Sequence, residues 1–261
     1  MSQLQPRLPS EYRLIAFDSI GSTNDEAKRL ACSGAASGTV IWALEQTAGR
    51  GRRGRPWVST RGNFYASLIL RPDCPANDAC QLGFVAALAI GGALAAISPA
   101  VAVSYKWPND VLISGRKVAG VLLESEVIWR ERPSFVVIGV GVNLSTSPKG
   151  TEFPATSMVA EGSGAVSPKA MLEQFVEHSQ SWLATWRAKG FAPVRASWLA
   201  AAAITRGEPI RVRLDTRTLD GRFLDIDHEG SLLLDRAGER RRIAAGEVFP
   251  SHVKEATCSS P

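Results

Sequence analysis

Four arginines, Arg50, Arg52, Arg53 and Arg55, fall within six residues and are interleaved with Gly49, Gly51 and Gly54 in the segment from Gln46 to Trp57. Guanidinium forks match the oxygens of phosphates and carboxylates, and glycine lets a backbone close over a ligand. The chemistry expected is anion binding by a movable flap. The glycines satisfy a GxGxxG pattern, but no helix opens at Gly54, and arginines stand where a pyrophosphate needs bare backbone. The dinucleotide reading fails on that context. A solvated basic loop and an RGG-like RNA contact are plainer alternatives. The anchoring pair Pro56-Trp57 and the shortness of the run weigh against both.

A second segment is Lys106-Trp107-Pro108-Asn109-Asp110, followed by Arg116–Glu124. Its tryptophan–proline corner aims Asn109 and Asp110 in fixed directions, although a rigid turn with an Asx cap needs the same residues. Lys117 enters an apolar strand, where a lysine either meets a charge or snorkels from an edge. In the third segment, Gly139–Leu144, two glycines mark close approach of a ligand or tight sheet packing, and the residues favour neither. No Walker A, GxSxG or HExxH pattern occurs. Cys32, Cys74, Cys80 and Cys258, with His178, His228 and His252, show no metal-ligand spacing, so reduced thiols and no protein-held metal are expected. Without an enzyme nucleophile, what remains is cationic charge arranged for phosphate, which acts by positioning and electrostatics.

These groups need a scaffold, and 261 residues with 45% apolar and 21% charged content suit a globular chain with a sizeable core. A formal charge of +5 suits anionic small molecules or an acidic protein partner and is too weak to indicate nucleic acid. The N-terminus has no signal-peptide pattern. Leu82–Ile97 is uncharged and Ala/Gly-rich, but its 16 residues fall short of the roughly 20 that a membrane-spanning helix needs, so it reads as a buried helix.

Strands are expected at Arg13–Phe17, Thr39–Leu44, Phe64–Leu70, Val101–Trp107 and Phe135–Leu144, with a hairpin of Val111–Ile113 and Lys117–Val127 about Ser114-Gly115. Thr23 with Glu26 predicts a capping box for a helix to Cys32, Asp78 a cap for the buried helix, and Pro168 a helix start. A short helix is expected over Val194–Ala203. After Gly207 short alternating segments joined by Gly turns predict a small antiparallel barrel or sandwich. The expected organisation is a flexible 1–10, a large domain over 11–206, a small one over 207–255 and a flexible 256–261.

Taken together and in this order, Ser22-Thr23-Asn24, Gln46–Trp57, Lys106–Asp110, Arg116–Glu124 and Gly139–Leu144 resemble the catalytic domain of biotin–protein ligases, over roughly residues 12–255. The resemblance implies an α+β fold: a central mixed β-sheet flanked by helices, related to class II aminoacyl-tRNA synthetases, with a C-terminal SH3-like β-barrel. It implies that biotin and ATP, the latter with Mg²⁺, give biotinyl-5′-adenylate and pyrophosphate. An acceptor lysine on the biotin carrier domain of a carboxylase then takes the biotin.

Carried over by position, Ser22, Thr23, Asn24 and Gln46 would line the biotin pocket, with Gly120 beside it. Arg50, Gly51 and Arg52 would close over biotin and adenylate, Arg53 would join the adenylate site, and Trp57 would wall it. Lys117 would contact carboxylate and α-phosphate, Asn143 the adenine, and Asp110 would assist the acceptor lysine, with Asn109 nearby. Lys117, Arg52 and Asp110 are thus the expected catalytic set. About twenty residues precede Ser22, too few for a helix-turn-helix, so a monofunctional cytoplasmic ligase is expected, without nucleic-acid or membrane binding, as monomer or homodimer. A lipoate–protein ligase is the nearest alternative and an RNA-binding module a more distant one.

Overall fold

The computed structural model describes residues 6–129 and 132–250; His252, Cys258 and the expected tail lie outside them. Strands β1 (Arg13–Phe17) and β2 (Thr39–Ala43) pair in parallel, joined through helix α1 (Thr23–Cys32). Strands β3 (Phe64–Leu70), β4 (Val103–Lys106), β5 (Asp110–Ile113), β6 (Arg116–Trp129) and β7 (Arg132–Val142) complete a mixed sheet of order β1-β2-β3-β7-β6-β5-β4. All its other pairings are antiparallel. Ser114 and Gly115 turn the β5–β6 hairpin with φ of 50° and 70°, the primed geometry that matches strand twist.

β3 is buried at every position because both sheet faces are covered. On one face Ile41, Ile69, Phe135 and Val137 pack against Ala27 and Ala31 of α1. On the other lie α3 (Leu82–Ile97), preceded by the short turn α2 (Ala76–Ala79), then α4 (Pro168–Lys189) and α5 (Phe191–Ala200). The glycines of α3 set this packing. A methyl group on Gly92 would lie 2.5 Å from His178 Nδ1 of α4, and one on Gly91 would strike the Tyr105 hydroxyl. The apolar stretch Ala76–Ile97, in which Asp78 is charged, has 72% of its most apolar window inside the fold, so its hydrophobicity goes into the core.

Two helix starts differ from the expected ones. The cap of α1 is Ser22, whose Oγ accepts from Asp25 N at 3.4 Å, and not Thr23; Glu26 instead pairs with Arg29. Thr23 is drawn off by Gln46 and becomes the first helical residue. Asp78 does not cap α3: it sits inside α2, and Gln81, which has no capping bond, precedes α3. Of residues 1–10, Arg7 N donates to Glu173 and Leu8 packs on the core.

The C-terminal part is a five-stranded antiparallel sheet of the SH3-like type, order β11-β10-β9-β8-β12. Its strands are β8 (Pro209–Arg213), β9 (Thr218–Ile226), β10 (Leu232–Arg236), β11 (Glu239–Ile243) and β12 (Glu247–Pro250). β12 pairs with β8, and its Glu247 meets Arg55 of the arginine–glycine loop. Trp107 Nε1 donates to Gly230 O at 3.0 Å, pinning this sheet beside β4 and β5.

Candidate active site

An elongated cavity of about 630 Å³ lies on the α1 face of the large sheet, with its far end against β8 and β12. Its floor comes from β6 and β7, where Gly120 faces Gly141 and Leu122 faces Gly139. The glycines line the cavity and make room for side chains packed on the sheet. A methyl group on Gly139 would lie 2.7 Å from Asn24 Cγ, and one on Gly141 would lie 2.5 Å from Trp57 Cε2. They admit one side chain from α1 and one from the arginine–glycine loop, and so bring both walls down onto the sheet.

The inner end is neutral and densely hydrogen-bonded. Thr23 donates through its backbone N–H (2.8 Å) and hydroxyl (3.0 Å) to Gln46 Oε1, and Gln46 Nε2 donates to Ser59 Oγ. Ser67 Oγ lies 2.6 Å from Asn24 Oδ1 and 2.8 Å from Thr23 Oγ1, and Asn24 Nδ2 donates to Glu124 at 2.8 Å. Ser22, Thr23, Asn24 and Ser67 are all buried. Such a cluster presents fixed donors and acceptors to a polar, uncharged ring.

Gly49–Trp57 folds over the cavity as a tight loop. Gly51 N donates to Arg55 O (2.7 Å), Trp57 N to Gly49 O (2.9 Å), and a 3₁₀ turn at Arg52–Gly54 closes the tip. Its arginines divide. Arg50 pairs with Asp25 at 2.6 Å and Glu124 at 2.9 Å, and Arg55 with Glu247 at 2.6 Å. Arg53, at φ 57°, turns away to Asp215 and does not line the cavity, unlike its expected place in an adenylate site. Arg52 lines it and donates to Gly246 O at 3.1 Å. Among the described residues no carboxylate forms an ion pair with Arg52, and burial lowers its pKa against the more distant pull of Glu247 and Asp110.

In the middle, buried Asp110 holds two lysines: Lys106 Nζ at 2.7 Å and Lys117 Nζ at 2.5 Å. Burial alone would raise the Asp110 pKa, but the two ammonium groups outweigh it and bring it down to about 2. Lys117 answers the question of what charge it meets, and its Nζ also stands 5.3 Å from the centre of the Trp57 ring. Asn109 Nδ2 donates to Val121 O, and Asn143 Nδ2 to Thr156 O, so both residues line the cavity with amides that brace backbone. At the outer end Arg213 of β8 pairs with Glu152 (2.6 Å) and with Glu247 (2.6 Å).

Ser22, Thr23, Asn24, Gln46, Arg50, Gly51, Arg52, Trp57, Asp110, Lys117, Gly120 and Asn143 all line this one cavity; Arg53 does not. Sequence reasoning missed Ser67, Glu124, Arg213 and Glu247 as site residues, and gave Lys106 no role. Lys106 and Glu124 lay inside quoted segments, whereas Ser67 is an ordinary residue of an apolar strand and Glu247 follows a Gly turn. Among the described residues no group of three or more His, Cys, Asp or Glu is placed to hold a metal ion, and Asp110 is already occupied by lysines.

Residues 55–200 match the biotin/lipoate A/B protein ligase family, and residues 205–249 match the biotin protein ligase C-terminal domain. The chain is 44% identical to the biotin–[acetyl-CoA-carboxylase] ligase of Paracoccus denitrificans over 87% of this chain and 96% of that one. It is 33% identical to the bifunctional ligase/repressor BirA of Bacillus subtilis over 90% of this chain and 73% of that one. Among solved structures, the Aquifex aeolicus biotin protein ligase in complex with biotin and ATP superimposes with a TM-score of 0.76 at 26% identity, covering 91% of this chain and 97% of that one. With the mixed sheet, the SH3-like sheet and the lidded cavity between them, these likenesses establish that the chain belongs to the biotin protein ligase family.

Proposed function

We propose that this cavity joins biotin to ATP and passes the biotin to a lysine of a carboxylase carrier domain. The observation that carries this is the polarity of the cavity along its length: a neutral, hydrogen-bonded inner end, then Lys117, Lys106 and Arg52, which has no carboxylate ion pair among the described residues. Biotin has that shape, a neutral ureido ring at one end and a carboxylate at the other. Seated with its ring beside Thr23, Asn24 and Gln46, it directs its carboxylate toward Lys117.

In the first step a biotin carboxylate oxygen bonds to the α-phosphorus of ATP as the bond to the β-phosphate bridging oxygen breaks, and pyrophosphate leaves. Negative charge builds on the α-phosphoryl oxygens within reach of Lys117 and Arg52. Fixed cations in a site closed to water act there without reorganising. In the second step the neutral ε-amine of the acceptor lysine attacks the acyl carbon, AMP departs, and the amine gives up a proton. A carboxylate held near pH 2 is a weak proton acceptor, so Asp110 is read here as the group that fixes Lys106 and Lys117. Mg²⁺ would enter as the counter-ion of the triphosphate, because the described residues offer it no carboxylate cluster.

Biotin-dependent exchange of labelled pyrophosphate into ATP tests the reading, and a lack of exchange with biotin would refute it. The matched family also embraces lipoate ligases. Exchange driven by lipoate and not by biotin would assign the chain to that branch. For the matched residues we propose ligase activity alone, as the name of the 44% identical Paracoccus denitrificans relative has it. A salt-dependent, sequence-specific gel shift would contradict this. Free Cys32, Cys74 and Cys80 suit the reducing cytosol proposed as its setting.

A further inference from the structure

We infer that Glu124 is a positioning residue that clasps the lid to the biotin pocket, with Arg50 as the lid's half of the clasp. Glu124 follows Gly120 and Leu122 on the same face of β6, so its carboxylate stands beneath α1 just beyond the cavity floor. Donors reach it from two directions. From α1 come Asn24 Nδ2 at 2.8 Å and Lys28 Nζ at 3.0 Å; from the loop comes Arg50 Nη2, at 2.9 and 3.1 Å from its two oxygens. Arg50 also forks onto Asp25 at 2.6 and 2.7 Å. Burial would raise the Glu124 pKa, but these donors outweigh it and hold the group ionised.

Two consequences follow from charge and from hydrogen-bond direction. Arg50 and Lys28 together balance Asp25 and Glu124, so Arg50 is neutralised within the cluster and its work is to fasten the loop. Arg52 is left as the loop's cation for phosphate. An ionised Glu124 can only accept, so the Asn24 amide must turn its NH₂ toward it and leave Oδ1 to Ser67. One carboxylate thus sets both the order of the lid and the sense of a pocket amide. A glutamine at 124 keeps the size, loses the charge that holds Arg50, and can offer an NH₂ that lets Asn24 invert.

The inference deepens the proposed biotin site and rests on it only for the kinetic half of its test. In the full-length protein without ligand, Glu124→Gln is expected to raise amide hydrogen exchange in residues 49–57 about tenfold while the β9–β10 amides keep the wild-type rate. In the exchange assay the KM for biotin should rise about tenfold with kcat changed less than about threefold, and Glu124→Asp should recover part of both. Arg50→Gln should loosen the same segment and add little when combined with Glu124→Gln. Unchanged exchange in 49–57 would overturn the clasp, as would a fall in kcat at constant KM, which would place Glu124 at the reacting atoms. If Glu124→Gln does not fold, Arg50→Gln decides alone by the same exchange measurement. Failure of the wild type to exchange pyrophosphate would refute the biotin reading and leave the hydrogen-exchange test standing.

Discussion

The two ends of the cavity are built on opposite principles. At the inner end Thr23, Gln46, Ser67 and Asn24 hydrogen-bond to one another, with Glu124 accepting from Asn24. In the middle, Asp110 answers Lys106 and Lys117 with one negative charge for two positive ones, and Arg52 lines the cavity with no carboxylate ion pair among the described residues. A fixed neutral network selects by orientation, because a ligand that does not match its remaining donors and acceptors leaves buried polar atoms unpaired. A charge-deficient cluster selects only for negative charge, and its force grows as water is excluded. Damage at the middle should therefore appear in reaction rate and adenylate retention, and damage at the inner end in the KM for biotin.

The largest effect that contrast predicts is at Lys117. Lys117→Ala removes the cation nearest the proposed reacting carboxylate and should slow adenylate formation by about a thousandfold, ~4 kcal/mol of transition-state stabilisation. Transfer from preformed adenylate should fall by less than about tenfold. Single-turnover measurements of the two half-reactions separate them, and equal losses would show that Lys117 binds both states alike. Arg52→Ala comes next. A hydrogen bond to a charged partner contributes about 1.5–3 kcal/mol, so bound adenylate should dissociate roughly a hundredfold faster. Pulse-chase release reads this directly, and an unchanged rate would remove Arg52 from the phosphate site.

Much of this was legible in the sequence, for identifiable reasons. The arginine–glycine run, the Lys106–Asp110 corner and the paired glycines are rare combinations, and they do converge on one cavity. Strand periodicity found the sheets, and Ser114-Gly115 found its hairpin. The failures lie where a residue's partner is distant in the chain. Arg53 and Arg55 look alike in sequence, and only Asp215 and Glu247, supplied by the far C-terminal sheet, send one outward and leave the other on the cavity. Ser67 sits in a run of buried apolar residues and becomes polar machinery only because α1 lies over it. The capping role expected of Thr23 falls to Ser22, while Thr23 donates to Gln46, 23 residues away.

Asp110 allows the charged region to be tested by acid. Its pKa is lowered from 3.8 to about 2, so it contributes stability above the unfolded value, and that contribution is lost as the pH falls through the folded one. The shift corresponds to about 2 kcal/mol between pH 5 and pH 1.5. Urea titrations across that range should show a fall in wild-type stability that is shallower by about this amount in Asp110→Asn. That variant should also be less stable at pH 7, because its two lysines lose their counter-charge. Parallel pH profiles for the two proteins would mean that Lys106 and Lys117 do not hold Asp110 in the folded state as the geometry indicates.

The smallest effect belongs to the neutral end, and it is the sharpest test of the contrast. Ser67→Ala deletes one hydroxyl and leaves Asn24 Oδ1 without its donor. An unmet buried acceptor costs about 1–3 kcal/mol, of which the ligand or a trapped water can recover part. The KM for biotin should rise about tenfold, with the KM for ATP within a factor of two and the adenylate chemistry unslowed at saturating biotin. The hydroxyl lies too deep to touch phosphate, being fully buried on β3 beneath Thr23 and Asn24. A loss falling equally on biotin and ATP would mean that the two ends communicate through the floor of the sheet, and the division between an orienting end and a charge-binding end would have to be abandoned.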